Sequence, residues 1–260
     1  MPHLLNIWPS VSKQIKESSK VLLLSDYDGT LTPIVDRPDL AVLASETRDV
    51  LLSLSRQEKY LLGIVSGRGL ADVSAKVDVP GLIFAGNHGL EMRGPGLEFV
   101  HPEAERLRET LGSLYLRLLE ELADLPGVMV EDKGLTLSVH YRLSPEPVAG
   151  EVKGRFASAT SNLLESGKIK ITSGKKVLEV RPNLAWDKGK AIDRLQSAYP
   201  EASLTLFFGD DLSDEDGFAV VQEGGGVDVF VGPARQPTKA RYRLDSPQEV
   251  VQTLQLLDQL

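Results

Sequence analysis

The stretch Val21–Pro33, VLLLSDYDGTLTP, decides the fold. It begins with an apolar run typical of a buried strand and continues directly into two aspartates, Asp26 and Asp28. In an open parallel sheet, ligands bind just beyond the carboxyl ends of the strands. Two carboxylates at such a place lower the stability of the fold unless a cation joins them. The expected cation is Mg²⁺, which proteins hold with one or two carboxylates and the oxygens of a phosphorylated substrate.

The same stretch has a simpler interpretation, in which Asp28 and Gly29 form only a turn. Side chains alternate along a strand, so Asp26 and Asp28 share a face only if the strand continues to Asp28. Gly29 indicates that the chain turns there instead. The motif alone leaves both interpretations open, and the rest of the chain has to distinguish them.

The composition limits the class of protein. The chain has 260 residues, 42% hydrophobic and 25% charged, which is typical of a soluble globular protein with one large or two smaller cores. A net charge of −8 argues against general nucleic-acid binding, which depends on Lys and Arg to neutralise phosphates. The sequence contains no cysteine, so disulfides, thiol catalysis and cysteine metal sites are excluded.

The sequence shows no targeting or membrane signal. Met1–Lys20 lacks a basic start followed by an apolar stretch, so no signal peptide is expected. No apolar run approaches the roughly 18 residues of a membrane helix. We therefore expect a cytoplasmic protein without a membrane partner, monomeric, with an N-terminal helix packed on its core.

Short apolar strands alternate with helical patterns at both ends of the chain, which predicts a parallel sheet covered on both faces. The predicted strands are 21–25, 60–66, 82–86, 204–208 and 227–231, and the predicted helices are 45–58, 69–77, 188–198, 215–222 and 246–260. The middle differs, with helices at 102–125 and 151–166 and alternating strands at 128–131, 136–141, 168–172 and 176–181. This order is typical of an antiparallel sheet with two helices on one face.

The predicted fold class is therefore α/β, with a Rossmann-like parallel-sheet core and an inserted α+β cap domain. Residues 1–92 and 182–260 would form the core, and residues 93–181 the cap. Linkers are expected near 93–96 and 181–183, where Gly, Pro and Asn concentrate.

A further strand end and a helix start carry small or basic residues. The strand ending at Val65 is followed by Ser66, Gly67 and Arg68, where a hydroxyl and exposed amides can hold a phosphate. The alternative is that Ser66 is an ordinary helix cap. Lys188 begins a helix in WDKGK and can neutralise a phosphate or a carboxylate, although a solvated lysine is the commoner case.

The strand ending at Phe208 continues through Gly209 into a dense run of acidic residues. The positive end of a helix dipole accounts for the acids from Asp214 to Asp216. It does not account for Asp210 and Asp211, which come directly after the strand. This is a second signal for a bound cation.

Taken together, these four segments resemble the motif set of the haloacid dehalogenase superfamily of phosphohydrolases. More narrowly, the chain resembles the trehalose-6-phosphate phosphatases, a family with an α+β cap inserted between its second and third motifs. The segments that carry the resemblance are DYDGTLTPI (26–34), VSGR (65–68), NHGLE (87–91), EVRP (179–182) with WDKGK (186–190), and GDDLSDEDGF (209–218).

The resemblance implies a Mg²⁺-dependent phosphomonoesterase that hydrolyses trehalose 6-phosphate through an aspartyl-phosphate intermediate. Asp26 is then the nucleophile, Asp28 the general acid and then the general base, and Lys188 the third catalytic residue. The implied metal ligands are the Asp26 carboxylate, the Asp28 backbone carbonyl and Asp210, with Asp211 and Asp214 supporting the ion through water or by positioning Lys188.

The resemblance also implies residues that bind the substrate. Ser66 and Lys188 would hold the phosphoryl oxygens, and Thr30 would fix the Asp28 carboxylate. The other predicted phosphate- or sugar-binding residues are Gly67, Arg68, Asn87, His88, Glu131, Arg142, Lys176 and Glu179. The cap also offers Lys133, His140 and Lys175. The alternative is that the cap residues are solvated strand charges and that His88 is a structural histidine.

Other functions remain open at this point. A phosphatase for another sugar or glycosyl phosphate, such as glucosylglycerol phosphate or sucrose 6-phosphate, would have the same architecture. A non-catalytic sugar-phosphate sensor is disfavoured by Asp28, because a binding module needs no general acid. A phosphotransferase that passes the group from Asp26 to an acceptor other than water is disfavoured only by the resemblance.

Overall fold

A computed structural model describes residues 1–174 and 176–260, so Lys175 of the predicted cap lies outside the described residues. The chain divides into two compact units. We call residues 1–99 with 186–260 the core unit and residues 100–185 the cap unit.

The strands are β1 Val21–Ser25, β2 Tyr60–Val65, β3 Ile83–Gly86, β4 Glu91–Gly94, β5 Leu97–Val100, β6 Met129–Asp132, β7 Leu137–His140, β8 Ile169–Gly174, β9 Val177–Pro182, β10 Leu204–Gly209, β11 Val227–Val231 and β12 Tyr242–Leu244. The α-helices are α1 Trp8–Glu17, α2 Ser45–Ser55, α3 Leu70–Val77, α4 Pro102–Arg106, α5 Arg108–Glu121, α6 Glu146–Glu165, α7 Lys188–Ala198, α8 Glu215–Glu223 and α9 Pro247–Asp258. Among the described residues, no helix is long and apolar enough to cross a membrane.

The core unit is built on an eight-stranded sheet in the order β12-β11-β10-β1-β2-β3-β4-β5. Strand β1 lies at its centre, parallel to β10 and β2, with Ser25 beside Phe208 and Ile64. The carboxyl ends of β10, β1, β2 and β3 therefore meet at one edge of the sheet, and the motifs that contain Asp26, Ser66, Asn87 and Asp210 begin at that edge.

Helices cover both faces of this sheet because β1 is apolar on both. Val21 and Leu23 pack with residues of α1, α2, α3 and α9, while Leu22 and Leu24 pack with residues of α7 and α8. Burying each such side chain contributes about 1.5–3 kcal/mol. The predicted fold class, a parallel-sheet core of the Rossmann type with a separate α+β unit, is confirmed.

The cap unit has a four-stranded antiparallel sheet in the order β6-β7-β9-β8. Val139 of β7 and Val180 of β9 are fully buried against apolar residues of α5 and α6. Side chains alternate along a strand, so Ser138 and Glu179, paired across β7 and β9, lie on the opposite face. That face carries most of the polar cap residues.

The structure differs from the sequence prediction near the predicted linkers. Residues 93–96 are not a linker: strands β4 and β5 form a hairpin there that extends the core sheet. The chain passes into the cap unit only after Phe99 and returns at Trp186. On the return, the Asn183 amide donates to the Lys168 carbonyl, which keeps this segment with the cap sheet beyond the predicted boundary at 181. The predicted helix over 102–125 is two helices, α4 and α5.

Candidate active site

Asp26 lies one residue beyond β1 and is only 5% exposed. Its amide donates to the Phe208 carbonyl at 2.8 Å, which continues the pairing of β1 with β10 past the strand end. The side chain therefore starts from a rigid backbone. Burial raises the pKa of Asp26 well above its usual range, Lys188 opposes that rise, and Asp214 and Asp210 add to it.

Lys188, the first residue of α7, is 2% exposed rather than solvated. Its Nζ donates to Asp214 Oδ1 at 2.6 Å and lies 3.0 Å from Asp26 Oδ1. Burial alone would lower the pKa of Lys188, but Asp214 and Asp26 raise it above its usual value. The lysine is therefore a fixed positive charge between two buried carboxylates.

Asp214 organises the loop after β10. Its Oδ2 accepts from the amides of Asp210 and Asp211, at 3.1 and 3.0 Å, while its Oδ1 accepts from Lys188. Both oxygens are engaged, so Asp214 positions the lysine and the loop. Asp211 is exposed, and its Oδ1 accepts from the Ser213 amide.

Thr30 makes a different contact from the predicted one. Its hydroxyl donates to Asp210 Oδ1 at 3.2 Å, not to Asp28. The tight turn after Asp28 brings this buried hydroxyl towards the β10 loop. Thr30 therefore orients a predicted metal ligand, a role that the spacing of the motif could not distinguish.

Gly29 is required for this close approach. Its φ is +84°, in the region that favours glycine, and a Cβ there would lie 2.1 Å from Asp210 Oδ2. Any side chain at this position would displace the Asp210 carboxylate. The turn predicted from Asp28 and Gly29 therefore packs directly against Asp210, a predicted metal ligand.

Three carboxylates form the group best suited to a cation. Asp26, Asp210 and Asp214 each offer an oxygen within 4.8 Å of the others. Burial, with Asp214 adding to it, raises the pKa of Asp210 to about 7. The crowding of acids and the all-oxygen donor set fit a hard divalent ion. Asp26 and Asp210 could hold such an ion, whereas both oxygens of Asp214 are already engaged, and Asp211 lies outside this group.

Arg68 contacts Asp28 rather than presenting a free guanidinium to a phosphate. Its Nε donates to Asp28 Oδ2 at 2.6 Å and its Nη2 to Asp28 Oδ1 at 2.8 Å. Its Nη1 donates to Asp72 Oδ2 at 2.7 Å, and Nη2 also donates to the Pro38 carbonyl. The phosphate contact that the resemblance implies for Arg68 is therefore not formed here, and the direction of so long a side chain cannot be inferred from its place after a strand.

The loop after β3 braces the loop after β2. The Asn87 amide donates to the Arg68 carbonyl at 2.7 Å, and the His88 amide donates to the Ser66 carbonyl at 2.8 Å. Ser66 is buried, and its Oγ accepts from the Arg68 amide. The close packing requires Gly67, because a Cβ there would lie 2.8 Å from the His88 ring.

This brace contains a residue that the sequence analysis did not single out. Glu91 Oε1 accepts from Asn87 Nδ2 at 2.7 Å and from the Leu70 amide, at the start of α3, at 2.8 Å. Asn87 is fully buried, so its side chain serves this contact. The sequence signal for this role was Glu91 itself, the acid that ends NHGLE, four residues after Asn87. Helix α3 has no capping side chain of its own, so its first amide takes an acid from elsewhere in the chain.

Acidic and basic side chains pair with each other on the polar face of the cap sheet. Glu131 Oε2 lies 2.8 Å from His140 Nε2, and Glu179 Oε1 lies 3.3 Å from Lys133 Nζ. Lys176 pairs instead with Glu146 of α6, and Arg142 follows β7 half-buried. Glu131 and Glu179 thus share one face, whereas Lys176 lies at the end of the sheet.

Several known proteins are similar to this chain in sequence and in fold. The trehalose-phosphatase family profile matches residues 24–248. Probable trehalose-phosphate phosphatase D of Arabidopsis thaliana is 35% identical over 262 residues, covering 94% of this chain and 70% of that protein. The trehalose-phosphate phosphatase of Mycobacterium avium is 37% identical over 246 residues, covering 90% and 61%.

Solved structures agree with this similarity. The C-terminal domain of a C. albicans trehalose-6-phosphate phosphatase superposes with a TM-score of 0.81 at 28% identity, covering 99% of this chain and 98% of that one. A haloacid dehalogenase-like hydrolase from Bacteroides thetaiotaomicron has a TM-score of 0.61 at 18% identity, covering 92% and 100%, and shows similarity of fold alone.

Proposed function

The chain belongs to the trehalose-phosphatase family, and we propose that it hydrolyses trehalose 6-phosphate with Asp26 as nucleophile and Mg²⁺ as its cofactor. The main support for the proposed mechanism is the buried contact between Lys188 and Asp26. A charged lysine fixed beside a carboxylate orients that carboxylate and lowers the electrostatic cost of an anionic phosphate approaching it.

The reaction has two steps. Asp26 attacks phosphorus, the bond from phosphorus to the sugar oxygen breaks, and Asp28 gives the departing oxygen a proton. Asp28 then takes a proton from water, whose oxygen attacks phosphorus and restores the Asp26 carboxylate. Lys188 and Ser66 hold the phosphoryl oxygens in both steps.

The acidic group around Asp26 supports a metal cofactor. The Asp26 and Asp210 carboxylates would hold Mg²⁺, with the Asp28 backbone carbonyl as the further ligand that the family resemblance implies. When bound, the ion offsets the negative charges of the phosphoryl group and its nucleophile. Thr30 and Gly29 support this arrangement by fixing the Asp210 carboxylate.

The cap unit is proposed to select the sugar. Carboxylates and ammonium groups hydrogen-bond sugar hydroxyls, and the polar face of the cap sheet presents both kinds of group. Glu131 and Glu179 on this face, with Arg142 and Lys176, are the proposed sugar contacts. The contacts of Glu131 with His140 and of Glu179 with Lys133 hold these two carboxylates in defined positions, which reduces the entropy lost on binding.

The test is phosphate release from trehalose 6-phosphate, glucose 6-phosphate, sucrose 6-phosphate and glucosylglycerol phosphate, each with Mg²⁺ and with chelator. A strong, metal-dependent preference for the trehalose ester is the expected result. Comparable rates on several esters would contradict the proposed selectivity, and no release from any ester would contradict the proposed activity.

The nucleophile has its own test. Asp26→Asn should abolish formation of the phosphorylated protein and turnover together, because an amide oxygen is a far weaker nucleophile than a carboxylate. The phosphorylated protein can be trapped by acid quench and detected by its added mass. Near-normal turnover of Asp26→Asn would contradict the assignment.

A further inference from the structure

Arg68 binds both oxygens of Asp28, the proposed general acid and base. The two contacts, at 2.6 and 2.8 Å, form the planar, two-point pairing that guanidinium groups make with carboxylates. The Asp28 side chain is 40% exposed, whereas that of Arg68 is 7% exposed. The exposed, reactive side chain is thus held by a buried one.

Arg68 is itself anchored from several directions. It donates to Asp72 of α3 and to the Pro38 carbonyl, and its guanidinium carbon lies 5.3 Å from the centre of the Tyr27 ring. The Arg68 backbone carbonyl accepts from the Asn87 amide. These contacts come from the segment after β1, from α3 and from the loop after β3, so the guanidinium is a rigid support.

The same contacts leave few N–H donors of Arg68 available to bind a phosphate. A guanidinium has five N–H donors, and the hydrogen bonds to Asp28, Asp72 and Pro38 use four of them. A two-point phosphate contact would therefore require breaking an existing ion pair. Asp28, by contrast, keeps free capacity, because a carboxylate has about four lone-pair positions and Arg68 occupies two.

We propose that Arg68 is a positioning residue that fixes the direction of the Asp28 side chain. The proton that Asp28 carries on an outer lone pair as general acid then lies where the sugar oxygen departs, and the lone pair left after the transfer lies where water enters and gives up its proton. This inference rests on the proposed function, since it concerns the proton transfer assigned to Asp28. It replaces the phosphate contact expected for Arg68 from its place in VSGR.

Positioning of Asp28 by Arg68 has a consequence that phosphate binding by Arg68 would not have. The trehalose oxygen is a poor leaving group and needs a proton as it departs, whereas p-nitrophenolate leaves without one. A residue that acts through Asp28 therefore matters for the sugar ester and not for the aryl ester. A residue that binds the phosphoryl group matters equally for both, because both esters carry the same group.

The experiment compares kcat/KM of Arg68→Ala and of the wild type on trehalose 6-phosphate and on p-nitrophenyl phosphate. This parameter reports the steps up to phosphoryl transfer and so excludes the later attack of water, which both esters share. We expect a loss of about 100-fold on the sugar ester and under about threefold on the aryl ester, since a general acid contributes about 10²–10⁴-fold. Equal losses on both esters would overturn the proposal.

A second measurement decides the matter even if the aryl ester is a poor substrate. Inhibition by inorganic phosphate probes the phosphoryl site alone. An inhibition constant unchanged in Arg68→Ala supports positioning of Asp28, and an increase of tenfold or more overturns it. Arg68→Lys keeps the charge but cannot bind both carboxylate oxygens, so it replaces the alanine variant if that variant fails to fold and should show an intermediate preference.

Two controls complete the design. Arg48→Ala removes another partly buried guanidinium of the core unit, which donates to the Lys76 carbonyl, and should not change the ratio of the two esters. In an Asp28→Asn background, Arg68→Ala should not change that ratio further, and a further change would overturn the proposal. Wild-type inactivity on trehalose 6-phosphate would instead contradict the proposed function, which separates the two failures.

Discussion

Lys188 donates to Asp214 over 2.6 Å, and both side chains are almost completely buried. The same ammonium group lies 3.0 Å from Asp26, and Asp210 belongs to the same group of carboxylates. One lysine therefore faces more negative charge than it can neutralise. Burying unpaired charge costs several kcal/mol, so this group of side chains lowers the stability of the fold.

The Lys188–Asp214 pair should be strongly coupled in stability. Lys188→Met and Asp214→Asn are each expected to lower the free energy of unfolding by about 3 kcal/mol, since each leaves a buried partner without its counter-charge. The double variant should lose less than the sum by about 1 kcal/mol or more. Urea unfolding in chelator, followed by the fluorescence of Trp8 and Trp186, measures this in the core unit.

The matched control for that cycle is Lys190→Met. Lys190 lies two residues further along α7 and is exposed, so its loss should change the free energy of unfolding by under about 0.5 kcal/mol. Strictly additive losses for Lys188→Met and Asp214→Asn would contradict the coupling inferred from their contact.

Gly29→Ala should reduce activity far more than its backbone strain suggests. A Cβ at Gly29 would lie 2.1 Å from Asp210 Oδ2 and force that carboxylate to move. Because a displacement of about 1 Å can cost about 10²-fold in rate, kcat/KM should fall by about 100-fold. Steady-state kinetics on the preferred ester measures the effect.

Gly81→Ala is the control for Gly29→Ala. Gly81 has a φ of +81°, close to that of Gly29, but nothing lies within 4 Å of its missing Cβ. It should therefore show a similar backbone cost, about 1 kcal/mol, with unchanged kinetics. Equal activity in the two variants would show that the Asp210 carboxylate does not depend on the approach of Gly29.

The sequence predicted well which residues the backbone brings to the same edge of the sheet. It predicted poorly which partners their side chains contact. Asp26 and Asp210 each follow a buried strand directly, so the parallel sheet brings them together. Arg68 and Thr30 also follow strands, but their partners, Asp28 and Asp210, depend on rotamers and on loop packing. The β4–β5 hairpin was missed because its two strands are short and only half-buried.

Asp210 should make the stability of the metal-free protein depend on pH. Burial and Asp214 raise its folded pKa to about 7, above its ordinary value of 3.8. Its contribution to stability is therefore fully present below about pH 4 and is lost as the pH rises through 7. In chelator, Asp210→Asn should be more stable than the wild type at pH 8 by about 1–2 kcal/mol, or about 3–6 °C in Tm.

Added Mg²⁺ should reverse this order. Ligand binding stabilises the folded state, so the wild type at pH 8 should gain thermal stability with Mg²⁺ while Asp210→Asn gains little. Thermal unfolding at pH 6 and pH 8, with chelator and with Mg²⁺, gives all the required comparisons. Equal metal-induced shifts in both proteins would contradict the assignment of Asp210 as a ligand.

Tyr60 should contribute to the loss of stability in alkali. Its hydroxyl donates to the Leu257 carbonyl at 2.9 Å, and burial raises its pKa to about 12, from 10.0. Its contribution is therefore present below pH 10 and is lost between pH 10 and 12. Tyr60→Phe should cost about 1 kcal/mol at pH 8 and flatten the alkaline decline, as measured by urea unfolding across this range. An unchanged alkaline decline would contradict the prediction.

Glu179 should contribute to binding of the sugar and not to binding of the phosphoryl group. Its carboxylate is 14% exposed and is held by Lys133 and by the Thr172 hydroxyl, so its position on the cap sheet is defined. Glu179→Ala should raise KM for trehalose 6-phosphate by about tenfold, because a lost hydrogen bond to a charged group costs about 1.5 kcal/mol or more. Its kcat/KM on p-nitrophenyl phosphate should stay within about twofold of the wild type.

The control for Glu179→Ala is Asp124→Ala, also in the cap unit. Asp124 is exposed and pairs with Arg155 of α6, on the helical side of the unit, and its loss should change neither parameter. A sugar-binding role requires the two esters to respond differently to Glu179→Ala. If both esters lose the same factor, or if Asp124→Ala has the same effect, Glu179 is a structural charge and the selection of the sugar lies elsewhere.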